Sequence, residues 1–332
     1  KIGDRLYVVT GYGIAAAVTW TDIATKRLYI TGTASYHEHF TPDHRLPPGQ
    51  AAGEGCVTVT WLQLTRHLLE LTGEVRYADE LERTTYNALL AAQSPRTGEV
   101  TYFVPLVGRK HYNGHDAKLD PPISCCSSSI PRGIALIPTF ASGTLNGKPA
   151  LLQYIPGKHV LHYTSGNDQG KVTLRVSGDY PRRGDFEVEV ELEQTAQFAL
   201  VLRAPAWAPG FEAIVGGMTY RPSASRLIEI ERVWSPGDRV RVKIPLVIRQ
   251  VPDGDATGSS FAFVRGPQVL ATDTAIEENG IPESWWGDTP YTQVVEQNGI
   301  EKAFRLVTLA DAGQNKEEYA VLHEDVEAID PT

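Results

Sequence analysis

Hydrophobic residues change their period once along the chain, near Gly147, and that change limits what it can fold into. Before it, Val57, Trp61, Leu64, Leu68 and Leu71 recur at the spacing of one face of an α-helix. After it, Phe186, Val188, Val190 and Leu192 alternate with Glu187, Glu189, Glu191 and Glu193, as in a strand with one wet face. A helix-period segment does not settle as a strand, so the spacing predicts a multidomain α + β chain with its helices first.

Helices are expected over 14–29, from Cys56 to a C-cap at Gly73, and over 77–92 ahead of Pro95, the last two forming an antiparallel hairpin. A fourth is expected over 131–140, with Pro131 in its first turn. Short strands at 158–163, 171–177, 186–192, 197–203, 238–244, 260–265 and 267–272, set apart by Gly, Pro and Asp turns, predict one or two β-sandwich domains. A break is expected over Pro252–Ser260, giving segments 1–147, 148–250 and 251–332. So few helices leave apolar faces that further helices must cover.

At 332 residues the chain exceeds what one core normally serves. With 42% hydrophobic and 21% charged residues and no apolar run long enough to span a bilayer, neither disorder nor membrane insertion is expected. The net charge of −9 and the lack of a basic run argue against nucleic acid, and a neutral or weakly charged ligand fits better. Three cysteines, all between positions 56 and 126, disfavour a disulfide-stapled fold, so a cytoplasmic or periplasmic setting is favoured over a disulfide-rich extracellular one; whether a leader precedes Lys1 is open.

Glu54 and Cys56 form an E-x-C pair at a helix start, and Cys125 and Cys126 are adjacent in a Ser-rich loop. One carboxylate and three sulfurs make a tetrahedral zinc set if the fold brings them together; otherwise they are buried thiols and a solvated Glu. A metal-bound cysteine facing a cleft would be a thiolate nucleophile. Glu38, within Tyr36-His37-Glu38-His39-Phe40, is a candidate general acid if its neighbours desolvate it; the alternatives are a second metal cluster through His37 and His39, or a surface loop. No role is assigned to Trp61, Trp207, Trp285 or Trp286.

The segments AVTWTDIATKRLYITG, HEHF, GEGC, LTGEVRYADELERTTYNALLAA, TYFVPL and SCCSSSIPR, followed by GDYPRRGDFEVEVE, FALVLRAPAWAPG and FVRGPQVLA, resemble in content and order the β-L-arabinofuranosidases of glycoside hydrolase family 127, over most of residues 14–272. The resemblance implies the later helices of an (α/α)6 barrel followed by β-sandwiches, Zn2+ held by Glu54, Cys56, Cys125 and Cys126, and retaining release of L-arabinofuranose or a related sugar from the non-reducing ends of β-linked glycans. By the same resemblance Cys125 matches the nucleophile, Glu38 the acid/base and Tyr102 a substrate-contacting residue beside the nucleophile. The family's Gly-Gly stretch is replaced by Thr31-Gly32-Thr33-Ala34-Ser35, and its Pro-Pro-Asn by Ser127-Ser128-Ser129, which bears on the choice of sugar. The chain is expected to be the C-terminal part of a longer enzyme, with a glycan as its partner and homo-oligomerisation open. Two other readings remain: a carbohydrate-binding or scaffold module with a structural zinc, and a zinc site that activates water directly, with an open coordination position and no covalent intermediate.

Overall fold

The computed structural model describes residues 11–112, 124–166, 168–258, 260–279, 290–297, 300–314 and 317–324. Apart from the two-residue strand Val107–Gly108 and the short helix Thr274–Asn279, helices precede strands, and contacts divide the chain into two units. Trp285 and Trp286 lie outside the described residues.

One unit comprises 1–17, 64–82 and 136–247 and holds two sheets. The six-stranded sheet runs Gly157–Ser165, Asp168–Gly178, Asp185–Glu191, Asp238–Lys243, Glu212–Val215, Met218–Tyr220, all antiparallel. The four-stranded sheet runs Leu227–Trp234, Ala196–Arg203, Lys148–Leu151, Ser142–Leu145, with its two middle strands parallel. Tyr163 of the first sheet stacks on Phe198 of the second with ring centroids 4.6 Å apart, so their inner faces share a core. Phe186, Val188 and Val190 are buried and the intervening glutamates are half-exposed, as the alternation requires. Arg203 is fully buried and pairs with Asp79 at 2.6 Å and Glu82 at 2.8 Å. Tyr180 and the Trp207 indole N–H donate to the same Glu82 carboxylate, which makes Trp207 a strut of this network.

The other unit comprises 18–63, 83–135 and 248–332. Its eight-stranded sheet is built on the hairpin Ser260–Arg265 and Gln268–Asp273 and reaches out to Val107–Gly108 on one path and Ile248–Pro252 on the other. Phe261, Phe263, Leu270, Phe304 and Leu306 form its core. The Asn87 carboxamide donates to Pro267 O at 2.8 Å and accepts from Val269 N–H at 2.7 Å, which fastens the helical segment to this hairpin. The turn at 253–258 is tied back as well: Asp255 accepts from Leu46 N–H at 2.6 Å, and Ala256 N–H donates to His44 O at 2.7 Å.

Helix α1 spans Gly11–Lys26, beginning and ending three residues before the expected range. Helix α2, Gly55–Thr72, ends at Gly73, whose φ of +69° suits the left-handed position that closes a helix. Helix α3, Val75–Thr84, continues into a π-helical turn over Thr85–Leu89 that carries Asn87, where the sequence predicted one regular helix. Helix α4 spans Cys125–Leu136, six residues earlier than expected, with Pro131 inside it. The start is set by Ser124, whose Oγ accepts from Ser127 N–H at 3.3 Å, an N-cap worth about 1 kcal/mol that outweighs the preference of Pro131 for a first turn.

Candidate metal centre

Backbone pairing assembles the site. Residues 53–55 run antiparallel to 102–104, with Glu54 opposite Phe103, Gly55 N–H donating to Tyr102 O at 2.9 Å and Val104 N–H donating to Gly53 O at 3.1 Å. Glu54 therefore sits immediately before α2, Cys56 in its first turn, and Tyr102 on the adjoining strand. Gly53 has φ +70°, a conformation costly to a residue with a Cβ. Gly55 matters for a different reason: a Cβ there would meet Ile130 Cδ1 at 2.7 Å and Cys126 Sγ at 3.2 Å, so its absence spares α4 side chains a shift where they pack on α2.

The vicinal cysteines are not in a loop, as the sequence reading had them, but in the first turn of α4, whose backbone N–H groups favour negative charge. One ligand atom from each of Glu54, Cys56, Cys125 and Cys126 lies within 4.8 Å of all the others, the one group of three or more such donors among the described residues. Cys56 Sγ and Cys126 Sγ are 3.7 Å apart, and Glu54 Oε1 is 3.8 Å from Cys125 Sγ and 3.7 Å from Cys126 Sγ. Cys126 is buried, Cys56 half-buried and Cys125 exposed. Burial pushes the Cys56 thiol up to about 11, partly offset by Ser129, and pushes Cys126 higher still, with Cys56, Cys125 and Glu54 adding to the rise. Two thiols whose ionisation burial opposes, crowded against a third and a carboxylate, are a donor set a cation would satisfy.

Glu38 lies in a two-residue hairpin turn. Tyr36 and His39 exchange both backbone hydrogen bonds, and His37 and Glu38 between them have φ of +48° and +64°, the sign a type I′ turn requires and one that suits Asn-Gly rather than His-Glu. Among the described residues the Glu38 side chain is exposed, and its carboxylate accepts from the Tyr102 hydroxyl. That hydroxyl lies 3.6 Å from Cys125 Sγ, and burial, Glu38 and Cys125 together raise its pKa far above the ordinary value. The His37 ring meets Tyr36 edge-on, and neither His37 nor His39 joins a three-donor group among the described residues. Trp61 stacks on Trp20 in the core.

Sequence reasoning missed three residues. Ser35 Oγ accepts from Glu54 N–H at 3.4 Å, Ser129 Oγ lies 3.2 Å from Cys56 Sγ, and Arg132 donates to Ser129 at 3.2 Å. The available signal was Ser124 as an N-cap, which puts Cys125, Ser129 and Arg132 on one helical face.

A helical segment bearing one carboxylate and three cysteines, followed by packed β-sheets, defines a multidomain α + β protein with a candidate metal–thiolate centre. Residues 5–139 match the catalytic-domain model, and 150–246 the middle-domain model, of the β-L-arabinofuranosidases of glycoside hydrolase family 127. The chain belongs to that family. It is 26% identical to a non-reducing end β-L-arabinofuranosidase of Bifidobacterium longum subsp. longum, over 76% of this chain and 41% of that protein. Its fold matches a family 127 β-L-arabinofuranosidase from Geobacillus stearothermophilus T6 with TM-score 0.74 at 21% identity, covering 94% of this chain and 58% of that one. A second family 127 β-arabinofuranosidase structure matches with TM-score 0.76 at 22% identity, covering 92% and 55%. The chain thus spans less than two thirds of the length of each of these relatives.

Proposed function

We propose that this chain carries the zinc and nucleophile half of a retaining β-L-arabinofuranosidase, releasing L-arabinofuranose or a related sugar from the non-reducing ends of β-linked glycans. The observation that carries the reading is the contiguity of Glu38, Tyr102 and Cys125 beside the four metal donors. Zinc suits the donor spacing: tetrahedral bonds of about 2.3 Å to sulfur and 2.0–2.2 Å to oxygen put donors roughly 3.6–3.8 Å apart, against 3.7–3.8 Å for three of the donor pairs here and at most 4.8 Å for the rest.

Cys125, the exposed sulfur, attacks the anomeric carbon while Glu38, as the acid, protonates the departing glycosidic oxygen. The thioglycosyl intermediate on Cys125 is then attacked at the same carbon by a water whose proton returns to Glu38, and the sulfur leaves as thiolate. Bound zinc would keep the sulfurs ionised and lower the cost of that departure. One hydrogen bond plus 3.6 Å bounds the distance from the Glu38 oxygen to Cys125 Sγ, short of the separation of about 6.5–9.5 Å an inverting pair needs. Tyr102 holds the carboxylate toward the sulfur and is placed to touch the sugar.

The exposure of Cys125 speaks against a closed structural zinc in a mere binding module. In this reading the helices are the later part of an (α/α)6 barrel, and residues 1–147, 148–250 and 251–332 are the barrel segment, a β-sandwich and a second β-rich domain. The test is to trap the enzyme with a mechanism-based arabinofuranosyl electrophile and map the adduct by peptide mass spectrometry. A sugar on Cys125 is expected; metal-dependent turnover with no adduct on any cysteine would refute the covalent step and favour a zinc-activated water.

A further inference from the structure

The three sulfurs of the cluster have different hydrogen-bonding surroundings. Cys126 is buried and faces the Tyr102 carbonyl at 3.9 Å, a group that has no proton to give. Cys125 is exposed, with the Tyr102 hydroxyl 3.6 Å away. The Cys56 thiol donates to Ser129 Oγ at 3.2 Å, and Ser129 is itself only 6% exposed. Arg132, one helical turn further along α4, donates to that same oxygen at 3.2 Å. A guanidinium N–H occupying one lone pair of the hydroxyl polarises it and turns its proton away from the arginine. A Cys56 thiolate has lost the proton it donates, and its sulfur, 3.2 Å away, becomes an acceptor for the hydroxyl proton, so the bond reverses.

We propose that Ser129, backed by Arg132, is a positioning pair that fixes Cys56 as a permanent and weakly donating metal ligand, leaving Cys125 as the sulfur free to react. The inference rests on the metal–thiolate reading above and deepens it by stating what distinguishes two half-open cysteines of one cluster. A hydrogen bond into a thiolate lone pair lowers the energy of that pair, which reduces both its donation to the ion and its reactivity toward carbon electrophiles. Among the described residues no charge-backed donor to Cys125 is seen, and the Tyr102 hydroxyl beside it donates to Glu38.

The test is made on the full chain loaded with Co2+ alone, whose sulfur-to-metal absorption reports the energy of the thiolate lone pairs. Ser129→Ala is expected to keep one Co2+ per chain and to move this band to lower energy, Ser129→Thr to restore its position, and Arg132→Met to move it part of the way. In parallel, brief iodoacetamide treatment followed by peptide mass spectrometry is expected to label Cys125 ahead of Cys56 in the parent, and to label Cys56 several-fold more in Ser129→Ala. A parent-like band in Ser129→Ala with unchanged Cys56 labelling would overturn the proposal and leave the metal reading standing. Failure of the parent to develop any thiolate–cobalt band would overturn the metal reading and this proposal with it. Should Ser129→Ala lose the ion, Arg132→Met decides: a band displaced toward lower energy supports the pair, and an undisplaced one overturns it.

Discussion

The Tyr102 hydroxyl donates to the Glu38 carboxylate and stands 3.6 Å from the Cys125 sulfur, so one side chain connects a carboxylate on a hairpin turn to a thiol on a helix N-terminus. Removing that hydroxyl leaves the ring and its contact with Phe103 in place. Under the proposed function, Tyr102→Phe is therefore expected to fold normally and to lower turnover of an aryl β-L-arabinofuranoside by about 10- to 100-fold, the worth of a hydrogen bond to a charged group. Turnover at the parent level would remove Tyr102 from the site.

Glu38 and His37 both hold a positive φ, which costs a residue with a side chain about 1–2 kcal/mol. Glu38→Gly is expected to raise stability by about 1 kcal/mol in urea denaturation and at the same time to abolish turnover. His37→Gly is expected to give a similar gain with turnover largely kept.

Because four acidic groups converge, an ion bound to them stabilises the folded state by mass action, about 2.7 kcal/mol when free metal is a hundredfold above Kd. A chelator is expected to lower the melting temperature of the parent. In Cys126→Ala, measured metal content falls and the chelator has no further effect; an equal drop in both proteins would show that the ion sits elsewhere.

Arg203 is buried between Asp79 and Glu82, and Glu82 also accepts from Tyr180 and Trp207. Deleting one partner of such a pair strands a charge, at a cost of about 3–5 kcal/mol. Glu82→Ala should lose that much in equilibrium unfolding, whereas Trp207→Phe, which removes one of the donors to Glu82, should lose only about 1 kcal/mol.

His323 packs against Phe261, Phe263 and Phe304, and burial, with Lys302 adding to it, lowers its pKa to about 4. The unfolded chain protonates this ring near its ordinary value of 6.5, at a higher pH than the folded chain does, so the stability present above pH 6.5 is lost as the pH falls toward 4. The loss attributable to this group reaches about 3 kcal/mol. His323→Phe is expected to flatten the stability profile between those limits, and an unchanged slope would exclude His323 as its source.

Much of this protein is determined locally and was therefore legible in the chain. The alternation through Phe186, Val188 and Val190 marks a strand because successive side chains point to opposite faces, and the same signal was present, unread, at Leu227–Trp234, where Ile228 and Ile230 are buried and Glu229 and Glu231 are exposed. The run from Val57 to Leu71 marks α2, and Gly73 its end. The six residues carried over from the family motifs are brought into one region, although nothing in their spacing alone required Glu54 and Cys56 to meet residues some seventy positions later.

That meeting was decided by tertiary structure. It depends on a backbone ladder between 53–55 and 102–104 and on the missing Cβ of Gly55, long-range contacts whose favourable terms come from packing and from paired peptide groups, neither of which a local pattern encodes. The left-handed backbone at Glu38 and the hydroxyl behind Cys56 belong to the same category. Residue types and periodicity determined which elements form and which donors are available. Only the packed chain decided which of those donors face one another, because proximity between distant residues is a property of the whole contact set and not of any one segment.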